Sequence, residues 1–157
     1  MTITQLISEI ETIVQAQVGL NGLMYGEPFE INNQRNKDYP LLFIDRNVRI
    51  EGMNMKTRQR VYQLKLSFFD RYPRPEEIAT ASETKQRDLE VLAEQFLFEF
   101  KARYKANGYP WKIENEEKVV GNWQYRKHQD RLIELTYTLQ IRCQGECLAG
   151  TFNYPTL

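Results

Sequence analysis

A chain of 157 residues with 21 Lys+Arg against 21 Asp+Glu carries no formal net charge. A strongly basic nucleic-acid binder or an acidic tail protein is therefore not expected. Its 41% hydrophobic and 27% charged residues are ordinary for a single globular domain, which at this length buries a real core without staples. The longest apolar runs fall far short of the roughly 20 residues a membrane helix needs. Acids stand near the N-terminus where a secretory leader carries bases, so a standard leader is not expected. Two cysteines, Cys143 and Cys147, are too few for a disulfide framework and suit a reducing interior.

Ile3, Leu6, Ile7, Ile10, Ile13, Val14 and Val18 recur at three- and four-residue steps and predict an amphipathic helix. Thr2 with Gln5 forms a capping box at its start, and Gly19 or Gly22 ends it. Residues 20–40 read as a loop, with turn signals at Asn21-Gly22, Gly26 to Pro28 and Asn32-Asn33; connections of this length are often functional. Leu41–Asp45, entered through Pro40, is wholly apolar apart from its last residue and fits a buried strand. Arg46–Asn54 either continues it or turns back, and Gly52 to Thr57 reads as a loop or hairpin tip.

Arg58–Asp70 is the clearest strand: Tyr62, Leu64, Leu66 and Phe68 face one way, and Val61, Gln63, Lys65 and Ser67 the other. Pro73 and Pro75 stop it. A second capping box, Thr80 with Glu83, opens a helix that aligns Leu89, Leu92, Ala93, Phe96, Leu97, Phe100 and Tyr104, and Asn107-Gly108 closes it. Trp111–Val120 and Trp123–His128 read as strands joined by a turn at Gly121-Asn122. Arg131–Cys143 is the last long alternating strand. The expected fold is α+β, one antiparallel sheet of four to six strands with two helices on one face. Residues 1–143 form a single domain and 144–157 a C-terminal arm.

The residues that could carry chemistry are sparse. His128 is the sole histidine, cannot build a metal cluster alone, and reads as exposed and idle. Cys143 and Cys147 lack CxxC spacing, and Cys143 continues a buried strand face, so a packed thiol is the default. Glu116-Glu117 and Glu76-Glu77 are sequence neighbours that need not converge. Ser8, Ser67 and Ser82 lie in no nucleophile motif, and no phosphate-binding glycine loop is present. No catalytic residue, cofactor or metal is expected. The segment from Arg35 to Arg60 concentrates bases, which allows a nucleic-acid surface. Without stacking aromatics at its tip, a solvated hairpin or an arm reaching a neighbouring subunit is preferred. Phe98 lies off the apolar face of its helix, where an exposed ring marks a partner contact.

The stretches PLLFID, RVYQLKLSFFDRY, QRDLEVLAEQFLFEF and DRLIELTYTLQIRC, in that order within residues 3 to 143, resemble the tail terminator (tail completion) proteins of tailed bacteriophages, typified by minor tail protein U, and the related neck or head–tail connector proteins. That resemblance implies a structural virion subunit, not an enzyme and without cofactors. It would form a ring, commonly sixfold, at the head–tail junction after assembly in the host cytoplasm. Its partners would be copies of itself and other neck or tail proteins, with DNA passing through the lumen without sequence reading, and no membrane. The segment before Pro40 and the tail after Cys143 depart from the pattern and would be arms.

Strand edges that want pairing, and head-to-tail contacts that close into rings, give a physical case independent of the family. The interface residues expected on this basis are Arg46, Arg49, Met53, Met55, Lys56, Arg58, Arg60, Phe98, Phe152 and Tyr154. The alternative is a monomeric NTF2-like binding or enzyme domain. It would hold a pocket between helix and sheet, with Asp70 or Glu134 inside and Tyr62, Tyr104 and Tyr137 as lining. A third reading is nucleic-acid binding through the basic hairpin.

Overall fold

The computed structural model describes residues 2–27, 39–71, 78–106, 111–127 and 131–144. Its elements in chain order are α1 (Ile3–Ala16), β1 (Gly22–Gly26), β2 (Leu41–Asp45), β3 (Arg49–Asn54) and β4 (Gln59–Arg71), then α2 (Ile78–Ala106), β5 (Trp111–Ile113), β6 (Val120–Lys127) and β7 (Arg131–Gln144). The fold is α+β, with two helices and one sheet among the described residues. The sheet has seven strands rather than four to six and is mixed rather than antiparallel, because β1 pairs parallel to β2. The segment 20–40, read as loop, therefore holds a strand. Five residues bracketed by glycines carry too short a pattern to announce one, and the strand forms only because β2 offers it a ladder.

The axis of the sheet is the antiparallel pair β4–β7, in register from Gln59↔Gln144 to Arg71↔Leu132. Each outer side of this ribbon is lined by a row in two pieces. β2 pairs the C-terminal half of β4 and β3 the N-terminal half. On the far side β6 pairs the N-terminal half of β7 and β5 its C-terminal end. Arg46–Asn54 thus continues the direction of β2. The break at Arg46–Val48 is closed by the Val48 amide on the Arg46 carbonyl and by the Asn47 amide on Asp45 Oδ1 (2.8 and 2.9 Å).

In the second row the interruption lies at residues 114–119, not at Gly121-Asn122, which sit inside β6. The Asn115 side chain fills the gap: its Nδ2 donates to the Thr138 carbonyl and its Oδ1 accepts from the Gln140 amide, both at 3.0 Å. An amide group thereby stands where a peptide unit would have stood. Asn115→Ala leaves both β7 backbone groups without these partners and should cost about 1–3 kcal/mol. Chemical denaturation measures that loss, and faster hydrogen exchange at the Gln140 amide would localise it.

The sheet's helix side carries the main core. Tyr62, Leu64, Leu66 and Phe68 of β4 meet Ile133, Leu135, Leu139, Ile141 and Cys143 of β7 under Leu89, Ala93, Phe96 and Phe100 of α2. Leu6, Ile10, Ile13 and Val14 of α1 extend this core over Leu42 and Ile44 of β2. Helix α1 has the expected capping box, Thr2 with Gln5. It ends at Ala16, and Gly19 follows at φ +98°, so Val18 lies beyond the helix and is exposed rather than core. Helix α2 starts at Ile78, which makes Thr80 a helical residue and not its cap.

The opposite face is less wet than its alternation implies. At the β2 end, Leu41, Phe43, Phe69 and Leu132 form a second buried cluster. The last described strand reaches Gln144, one residue past the expected domain limit. Residues 145–157, read as an arm, lie outside the described residues together with Tyr72 to Glu77, Asn107-Gly108 and His128.

Candidate functional site

Two surfaces stand out among the described residues. The first is the β3–β4 hairpin. Every residue of β3 is exposed, and its ladder with β4 shifts register between Ile50 and Gly52. Asn54 Oδ1 accepts from the Lys56 and Thr57 amides (3.0 and 3.1 Å), which shapes the tip, and Arg58 adopts φ +58° to return the chain into β4. Ile50 and Met53 pair with Tyr62 and Arg60, so they face the helix side, yet they remain 55% and 62% exposed; Met55 reaches 86%. Among the described residues no helix covers them.

The expected interface residues divide accordingly. Arg49, Met53, Met55, Lys56 and Arg58 share the hairpin and are exposed. Arg46 lies at the β2–β3 break with its guanidinium 5.7 Å from the Tyr25 ring. Arg60 is half-buried over the Tyr62 ring at 5.9 Å and faces the core side rather than solvent. Phe98 is 70% exposed on the outer side of α2, far from the hairpin in sequence and joined there by exposed Val91. Phe152 and Tyr154 lie outside the described residues.

The second surface, which sequence reading did not find, is a groove of about 420 Å³ on the sheet face away from the helices, lined by Phe43, Asp45, Lys65, Ser67, Asn122 and Glu134 among others. Its floor is a hydrogen-bonded row: Ser67 Oγ to Thr136 Oγ1 at 2.8 Å, and Thr136 Oγ1 donating to Glu134 Oε1 at 2.9 Å. The signal lay in the β4–β7 register, which sets Ser67 opposite Thr136 and Phe69 opposite Glu134, but the register is visible only once the strands pair.

Asp70 and Glu134 do not converge. Asp70 faces the helices, where Lys85 Nζ binds its Oδ2 at 3.2 Å, while Glu134 faces the groove on the other side. Tyr62 and Tyr137 do share the helix side, and the side chain of Tyr104 is outside the described residues. The Tyr137 phenol is held above its usual value by burial and by the carboxylates of Glu90 and Glu94. Burial pushes the Cys143 thiol up to about 11, against a smaller opposing pull from Arg60, so it stays protonated and packed at neutral pH. Among the described residues no cluster of three His, Cys, Asp or Glu could hold a metal ion, and no helix is long and apolar enough to cross a membrane.

No protein-family model and no curated protein matches this chain.

Proposed function

We propose that this chain is a structural subunit of a tailed bacteriophage particle, a tail terminator or neck component that assembles into a ring at the head–tail junction. The observation that carries the reading is the β3–β4 hairpin, which holds Ile50, Met53 and Met55 in water beside Arg49, Lys56 and Arg58. Apolar side chains set among charges on an exposed edge strand and its turn are suited to burial by another molecule. The long β4–β7 pair beside the hairpin gives it a stiff base, and the likeness of the strand and helix segments to tail terminator proteins supplies the particle. The NTF2-like reading has less support, because Asp70, the acid on the helix side of the sheet, is paired with Lys85 at 3.2 Å, and Glu134 lies on the other face.

Sedimentation velocity over a wide concentration range, followed by negative-stain imaging, tests the proposal. Closed rings of uniform diameter are the expected outcome. A chain that stays monomeric at every concentration would remove the assembly reading, and a nucleic-acid shift that vanishes with salt would favour the basic-surface reading instead.

A further inference from the structure

We draw no further inference here: the strongest candidate, the groove floored by the Ser67–Thr136–Glu134 row on the sheet face away from the helices, carries none, because its hydroxyls and carboxylate already bond one another and nothing in the structure shows what would occupy it.

Discussion

Phe96→Ala should lower the folding free energy by about 3–5 kcal/mol, the range for truncating a large buried aromatic. Phe96 is fully buried and sits in a chain of rings that crosses three elements. It meets Phe68 of β4 edge-on with centroids 5.6 Å apart, and it stacks on Phe100 at 6.1 Å and 12°. Phe100 in turn stacks on Trp111 of β5 at 5.4 Å and 17°. Such pairs add roughly 0.5–1.5 kcal/mol beyond the area they bury. Removing the second ring of four therefore opens a cavity and also removes the ring contact between α2 and Phe68 of the long ribbon. Urea denaturation measures the loss, and a melting temperature lower by roughly 10 °C should accompany it. Phe98→Ala is the internal control. It lies two residues along the same helix, is mostly in water, and should change stability by less than about 0.5 kcal/mol. Equal losses at the two positions would mean that the rotation of α2 about its axis is wrong.

Gly121→Ala should cost about 1–3 kcal/mol, and Gly121→Val more. A Cβ at residue 121 falls 2.6 Å from Cε1 of Tyr137 and 3.2 Å from its Cδ1 and Cζ. The two residues are cross-strand partners of β6 and β7, and the Tyr137 ring lies flat over the space where the glycine has no side chain. The ring has little freedom to retreat, since Phe68 meets it edge-on at 6.4 Å and it is partly buried under α2. Removing the ring removes the obstacle. In a Tyr137→Ala background, Gly121→Ala should become neutral or stabilise by about 0.4–1 kcal/mol through the unfolded chain. A double-mutant cycle isolates that coupling. A penalty of the same size in both backgrounds would show that the backbone, not the ring, demands glycine.

This glycine also marks where sequence reading reached its limit. Gly121-Asn122 has the composition of a turn, yet it is strand, because the reason for glycine is a ring on a neighbouring strand and not a local backbone angle. Asn115 posed the same difficulty: an amide that completes a ladder looks, in sequence, like any polar residue of a turn. β1 was missed because its pattern is five residues long and its partner lies beyond a long intervening segment. By contrast β4 and β7 were legible from end to end, since each alternates in sequence over more than ten residues, although both faces are buried from Leu66 to Asp70 and from Leu132 to Leu135. The apolar stripe of α2 was legible for the same reason, with Leu89, Ala93, Phe96 and Phe100 buried as their spacing requires. The hairpin's charge and its methionines could be read directly, and so could the exposure of Phe98. The Ser67–Thr136–Glu134 row could not, because it is created by how two distant strands are set against one another.

The broken outer rows and the unbroken β4–β7 ribbon have a mechanical consequence. Tension applied at the hairpin enters along the strand axis and is resisted in shear by thirteen successive residue pairs, all strained together rather than one after another. The breaks at Arg46–Val48 and at residues 114–119 interrupt only the flanking rows, and each is bridged by a side chain, Asp45 in one and Asn115 in the other. The continuous pair alone spans the sheet from end to end, so it and not the flanking rows carries that load.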